Sequence, residues 1–354
     1  MVSTCLITGG AGFIGCAISH DLVNRFDRVI AFDSLLPQVH ARQERPEDLD
    51  PRAEFVKGDV TKAEDWDALL CEVKPTVIVH LAAETGTGQS LMNSTMHAMV
   101  NVVGTTQMLD ALVRNEAMPK KIVLASSRAV YGEGLWMDAQ GNTSYPGGRT
   151  HAMLQDATWD FPGLKPCPQN SARVEPSPSN VYASTKLAQE NLLTSWGGSM
   201  GVDIVRFRLQ NVYGPGQSLT NPYTGIVSLF ARVAKAGESI PVYEDGDIVR
   251  DFVFITDVAA AIVAGVLTSG TNEHAYDIGL GERTTILQVA HIMAKHYGAP
   301  EPHINGQFRD GDVRAAWATI DASKEALGWE PKVSVEEGIN RLCDWIDAEA
   351  EKSA

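Results

Sequence analysis

The chain of 354 residues is short of positive charge: 29 Lys and Arg stand against 44 Asp and Glu, a net charge of −15. A surface of that sign repels phosphodiester backbones and anionic lipid headgroups, so no nucleic-acid or membrane partner is expected. Any anionic ligand must then be met by a local group of cations. Paired cysteines are missing as well. The five present, Cys5, Cys16, Cys71, Cys167 and Cys343, are scattered, with no C-x-x-C spacing to build a zinc knuckle or a disulfide framework. Nine histidines show no paired ligand spacing, and no metal is expected. The most apolar run, Phe252 to Leu267, is interrupted by Asp257 and too short to span a bilayer. The start, Met1 to Thr8, has no basic n-region and reads as a first strand instead of a signal peptide, so a cytoplasmic location is expected.

What remains is ordinary globular composition, with 44% hydrophobic residues. At roughly 150 residues per domain the length suits one large unit or two linked ones. The first two-thirds alternates short apolar runs with amphipathic segments. The runs are Cys5–Thr8, Arg28–Asp33, Thr76–Leu81, Lys121–Ser126 and Val202–Phe207, nearly continuous in apolar residues, as in strands buried on both faces of a parallel sheet. Between the first two, Phe13, Ile14, Ala17, Ile18 and Leu22 recur at a helical period. Such alternation predicts a doubly wound α/β sheet. Residues 132–180, rich in Gly, Pro, Ser and Asn, read as a long functional loop or lid. Beyond about residue 214 the pattern becomes mixed, and a smaller C-terminal cap is expected.

Thr8-Gly9-Gly10-Ala11-Gly12-Phe13-Ile14-Gly15 follows the first strand and opens the first helix. Gly9 allows the turn, Gly12 lets backbone approach a pyrophosphate, and Gly15 lets the helix pack on the sheet. The helix N-terminus then offers free N–H groups to the phosphates. Asp33 closes the second strand, eighteen residues beyond Gly15. A carboxylate there accepts from a ribose 2′-OH and repels a 2′-phosphate, so NAD is favoured over NADP. Asp59 and Val60 follow the third strand, where an adenine would lie, though the tripeptide Gly58-Asp59-Val60 reads equally as a turn. His80-Leu81-Ala82-Ala83 ends the fourth strand, its small residues leaving room for cofactor or simply closing a core strand.

Tyr182 and Lys186 stand at i and i+4, on one face of a helix. A nearby ammonium stabilises a phenolate and lowers the tyrosine's pKa toward neutrality. Lys186 can also donate to a nicotinamide ribose. Ser126 and Ser127 end the fifth strand, at the edge where ligands bind in such sheets.

Together these residues resemble a known family. The glycine loop, His80-Leu-Ala-Ala83, Asn101, Ser126-Ser127 before Val130-Tyr131-Gly132, and Tyr182-x-x-x-Lys186 look like the extended short-chain dehydrogenase/reductases. Within that superfamily the chain is most similar to the NAD-dependent nucleotide-sugar epimerase/dehydratase group, through Asn211-Val-Tyr-Gly-Pro-Gly216, Arg250-Asp-Phe252 and Gly311-Asp-Val-Arg314. The resemblance implies a Rossmann-type sheet of residues 1–213 with 251–268 and a mixed α/β substrate domain of residues 214–250 with 269–354. It implies Ser127, four places before Tyr131, as the hydroxyl of the catalytic triad, with Tyr182 as base. It implies NAD contacts from Gly9, Gly12, Phe13, Ile14, Gly15, Asp33, Asp59, Val60, Leu81, Ala82, Ala83, Asn101, Ser126, Tyr182 and Lys186.

For the substrate, a nucleotide-diphosphate sugar linked to dTDP or UDP, the resemblance implies Glu84, Thr85, Ser127, Arg128, Asn211, Arg250 and Arg314. The two arginines Arg250 and Arg314 match diphosphate anchors, with a surface ion pair as the alternative for each. Dehydratases of the group carry an Asp-Glu pair after the triad hydroxyl; here Arg128-Ala129 stands instead, which argues against dehydration. The Glu84 loop, Ser126 to Gly134 and Asn221 to Gly225 look closest to a branch that inverts C4 of a dTDP-linked 6-deoxy sugar. UDP-hexose 4-epimerase, net dehydrogenase or reductase, and an inactive NAD-sensing protein stand as alternatives. Homodimerisation is common in the family. The lid's aromatics, Trp136, Tyr145 and Trp159, are expected either to choose the sugar or to pack a small core of their own.

Overall fold

The computed structural model describes residues 2–40, 42–219, 226–270 and 273–353. Seven parallel strands form the central sheet. From one edge they run Tyr276–Ile278, Asp203–Leu209, Lys121–Ser127, Val77–His80, Thr4–Thr8, Arg28–Asp33 and Glu54–Lys57. All five apolar runs of the sequence are strands, and the two further strands are its edges. Chain direction along the sheet reverses between Thr4–Thr8 and Val77–His80, so a crevice opens outside their carboxyl ends.

Alternate side chains of each strand serve opposite faces. Cys5, Ile7, Val29, Val79, Val123 and Val205 pack with helices Phe13–Leu22 and Ile255–Leu267. Leu6, Ile30, Ile78, Ile122, Leu124 and Ile204 pack with helices Ala63–Glu72, Gly104–Arg114 and Val181–Met200. Because both faces are covered, the strands need apolar residues at every position, which is why the runs are continuous.

A third apolar cluster joins helices Ile226–Lys235, Ile286–Tyr297 and Val335–Ser353 through Phe230, Val289, Met293, Ile339 and Leu342. Phe252 and Phe254, on a short strand that pairs in parallel with Asn211–Tyr213, belong to this cluster as well.

The stretch 132–180 contains more order than its composition announces. Thr143–Ser144, Trp136–Met137 and Lys165–Pro166 form a three-stranded antiparallel sheet, with the helix His151–Gln155 between its last two strands in the chain. Trp136 is fully buried against Phe161, ring centroids 4.9 Å apart, so this aromatic packs the stretch's own core. Tyr145 accepts a hydrogen bond from the Glu175 amide, and Trp159 lies beside Phe308.

Candidate active site

The floor of the crevice is the glycine turn. Gly9 has φ +67°, and a Cβ there would stand 2.8 Å from the Ala82 amide nitrogen. A Cβ on Gly15 would meet the Gly9 carbonyl oxygen at 2.6 Å. The helix that follows has Gly12 at its N-cap with no side-chain cap, leaving its first N–H groups free for an anion. This cradle fits the pyrophosphate of a dinucleotide. Phe13 and Ile14 are half-buried and pack on the C-terminal apolar cluster, so they contribute backbone and packing here.

Asp33 lies at the predicted edge, but its carboxylate is already employed. It accepts from the Ala11 amide at 3.1 Å and the Leu35 amide at 2.8 Å, holding the turn and the loop after its own strand. Leu81, Ala82 and Ala83 are half-buried; Leu81 donates its amide to the Thr8 carbonyl and Ala82 to the Thr8 hydroxyl. Asp59 takes the turn alternative: its carboxylate accepts from the Thr61 amide and hydroxyl. Val60 is buried and its carbonyl accepts from the Trp66 indole.

Asn101 sits in a π-helical turn, Ala98–Val103, a distortion that re-aims side chains. It is fully buried, accepts from the Glu84 amide at 2.8 Å, and donates to the Glu84 carbonyl at 3.0 Å and the Thr185 hydroxyl at 2.9 Å. Thus Asn101 clamps the Glu84 loop onto the helix that carries Tyr182. Glu84 is itself buried, and burial holds its carboxyl above the usual range. Thr85 is exposed, with its carbonyl toward His97.

Two adjacent serines separate by strand alternation. The Ser126 hydroxyl donates to Glu190, which is also bound by Arg208 at 2.8 Å, so the Ser126 side chain belongs to a buried ion-pair network. Ser127, on the other face, accepts from the Ala129 amide at 3.2 Å and lies near enough to the Tyr182 phenol to lower its pKa. Tyr182 opens the helix Val181–Met200, whose N-cap Asn180 accepts from the Ala183 amide at 2.9 Å and fixes that first turn. Burial raises the Tyr182 phenol's pKa; the nearby Ser127 hydroxyl and the positive charge of Arg128 pull it back. Lys186 is buried and donates to Gln189 Oε1 at 2.6 Å, and burial pushes its ammonium down to about 7, opposed by Glu190. Arg128, expected as a substrate contact, also places a positive charge on Tyr182.

The predicted anchors behave differently from one another. Among the described residues no hydrogen bond or ion pair engages the half-buried Arg128 guanidinium; burial, then Arg250, lower it to about 9. Arg250 is buried, donates to its neighbour Val249's carbonyl at 2.7 Å, and meets Asp312 only at 4.0 Å. These two guanidiniums lie close in charge and lack a tight counter-ion, which is the local cationic group an acidic protein needs. Arg314 is the reverse. It donates to Asp160 at 2.8 Å, Glu244 at 3.0 Å and both oxygens of Asp245 at 2.7 Å, so its guanidinium is ion-paired on three carboxylates. Asn211 is half-buried on the strand that pairs with Phe252–Phe254, and its amide donates to the Asp251 carbonyl, next in the chain to Arg250. Residues Asn221 to Gly225 lie outside the described residues.

Sequence reasoning missed Gln189, although it stands only three places beyond Lys186 on the same helix, a spacing that predicts contact.

The model of the NAD dependent epimerase/dehydratase family matches residues 5–279. The chain is 53% identical to dTDP-L-rhamnose 4-epimerase of Burkholderia thailandensis, over 98% of this chain and 96% of that one. Among solved structures, UDP-glucose 4-epimerase of Thermotoga maritima with UDP-glucose superposes at TM-score 0.81 and 26% identity, covering 98% of this chain and 99% of the other. UDP-glucose 4-epimerase of Thermus thermophilus in complex with NAD gives TM-score 0.76 and 29% identity, covering 97% and 99%. With the glycine cradle, the Ser127–Tyr182 pair and a match over more than half its length, the chain belongs to the NAD-dependent epimerase/dehydratase family.

Proposed function

We propose that the protein is a nucleotide-sugar 4-epimerase that uses NAD as a retained catalyst, with a dTDP-linked 6-deoxyhexose such as dTDP-L-rhamnose as substrate. The observation that carries the reading is the buried Tyr182 phenol, its pKa pulled down by Ser127 at the carboxyl end of a central strand and by the charge of Arg128, in a chain whose glycine turn opens on an uncapped helix N-terminus. The 53% identity to a dTDP-L-rhamnose 4-epimerase over nearly the whole chain supports the choice of sugar.

NAD, when bound, supplies the acceptor that takes the hydride from C4 and gives it back. The chain's own residues do the rest. Ionised Tyr182 removes the proton of the sugar's 4-hydroxyl, and the C4–O bond becomes a carbonyl as the C–H bond breaks. Ser127 holds that oxygen by a hydrogen bond. After the sugar turns over, the carbonyl oxygen takes the proton back from Tyr182, and the C–H bond forms on the opposite face. Arg250, and Arg128 next to it, hold the diphosphate side while the sugar turns.

Residues 1–213 with 251–268 are read as the NAD-binding unit, and 214–250 with 269–354 as the sugar-nucleotide unit. The split is supported by the apolar cluster around Phe230 and Met293, which Tyr213, Phe252 and Phe254 join from the first unit. A homodimer acting in the cytoplasm fits the family and the acidic composition; among the described residues no helix is long and apolar enough to cross a membrane. The test is incubation with dTDP-L-rhamnose, UDP-glucose and GDP-mannose, products resolved by NMR. Conversion of the first to its C4 epimer in excess over the other two is expected. Preference for UDP-glucose would reassign the protein as a UDP-hexose 4-epimerase, and dehydration of any of them would overturn the reading.

A further inference from the structure

Four side chains that no step above uses run from Lys186 to the glycine turn. Gln189, which accepts from Lys186 Nζ through Oε1, donates through Nε2 to Thr105 Oγ1 at 2.9 Å. His80 Nε2 lies 3.0 Å from the same hydroxyl, and His80 Nδ1 lies 2.8 Å from Thr8 Oγ1. Lys186, Gln189, Thr105, His80 and Thr8 are all buried.

The direction of every bond can be worked out. An ammonium only donates, so Gln189 must turn its oxygen to Lys186 and its nitrogen to Thr105. Thr105 gives its own proton to the Asn101 carbonyl at 2.6 Å, so its oxygen accepts from Gln189 and from His80. His80 then carries its proton on Nε2 and accepts on Nδ1 from Thr8. Gln189 Nε2 and His80 Nε2, 3.3 Å apart, are two donors that touch without bonding. Burial pushes His80 down to about 3, so the ring is neutral and the chain holds no charge besides the lysine's. Every polar atom in this dry row has a partner, and the row ends on Thr8, the residue before Gly9.

We infer that Gln189 is a positioning residue for the reaction, holding the Lys186 ammonium in the cleft through a neutral chain rooted at the glycine turn. The inference rests on Tyr182 being the base and Lys186 its cationic partner. A neutral acceptor fixes the ammonium while leaving its field available to Tyr182; a carboxylate in the same place would cancel that field. Glu190, on the same helix, is kept from this task by Arg208 and Ser126. Besides Glu190, the titratable group whose charge state couples to Lys186 is His80 on the neighbouring strand; Tyr182 stands one turn back on the same helix, its ring 6.4 Å from that of His97.

The test is the pH profile of turnover for the holoenzyme and its Gln189→Met and Gln189→Glu variants. Activity requires Lys186 protonated, so it falls as pH rises through the lysine's pKa. Methionine removes an acceptor that favours the charged form, and the alkaline limb is expected to move down by about one pH unit. Glutamate adds an opposite charge, and the limb is expected to move up by about as much, with a lower plateau. NMR titration of the Lys186 side-chain nitrogen should show the same two shifts without turnover. Thr105→Val cuts the chain one bond further out and should move the limb the same way as methionine, by less; it carries the test if the Gln189 variants do not fold. Limbs and nitrogen titrations that coincide with wild type, with only thermal stability lowered, would overturn the inference. Failure of the underlying reading looks different: Tyr182→Phe would then keep wild-type turnover, and the inference would fall with it.

Discussion

Arg149 and Glu244 meet through two parallel hydrogen bonds of 2.8 and 2.9 Å, with both side chains about 1% exposed. This fork ties the glycine- and proline-rich stretch 132–180 to the chain beyond residue 235, and Arg149 adds bonds to the Trp159 and Asp312 carbonyls. Arg149→Met removes two charge-assisted hydrogen bonds from Glu244, which Arg314 still pairs at 3.0 Å, so it should destabilise the protein by about 1.5–3 kcal/mol. The double variant Arg149→Met/Glu244→Leu should recover part of that loss. Urea unfolding of the three proteins checks both statements.

The two predicted diphosphate arginines should separate in solution. Arg250→Ala removes a cation with no tight partner, and nucleotide-sugar affinity should fall about 10–100-fold with little change in stability. Arg314→Ala strips the counter-charge from Glu244, Asp245 and Asp160, so it should lower the melting temperature first. Calorimetric titration beside thermal melts distinguishes the two.

Arg128 is expected to acidify the base. Arg128→Leu removes the positive charge that pulls the Tyr182 phenol's pKa down. The folded pKa then rises, and the acid limb of kcat/KM moves to higher pH. Arg128→Lys should restore part of the shift. An unmoved limb in the leucine variant would show that the charge does not reach the phenol.

Glu133 gives a stability signature. Burial raises its carboxyl to about 7, although it accepts from the Arg314 amide at 3.0 Å. Its folded pKa exceeds its unfolded one, so the stability it contributes is complete below about 4.5 and is lost as pH rises toward about 7. Glu133→Gln stays neutral throughout. Its melting temperature relative to wild type should therefore be higher at pH 8 than at pH 5.

What could be read along the chain was what is local or strictly periodic. The five buried strands announce themselves because both faces are covered, and the glycine turn because backbone approaches within a Cβ's reach at Gly9 and Gly15. Tyr182 and Lys186 share a helix face by spacing alone. What could not be read is where partners come from far along the chain. Arg314's carboxylates lie at positions 160, 244 and 245, and no window around Arg314 contains them. Ser126 and Ser127 look alike in sequence, yet strand alternation sends one to Glu190 and the other to Tyr182. The order inside 132–180 depends on the packing of Trp136 on Phe161 and on Arg149 finding Glu244, neither of which has a period.

Retention of the C4 hydrogen is the most direct test. With dTDP-L-rhamnose in deuterium oxide, NMR should show the C4 epimer forming with its original C4 hydrogen, and absorbance at ~340 nm should show no net NADH once equilibrium is reached. Tyr182→Phe should fold, retain NAD, and lose turnover about 10²–10⁴-fold. Deuterium at C4 of the product, NADH in proportion to substrate consumed, or a fully active Tyr182→Phe variant would contradict the mechanism.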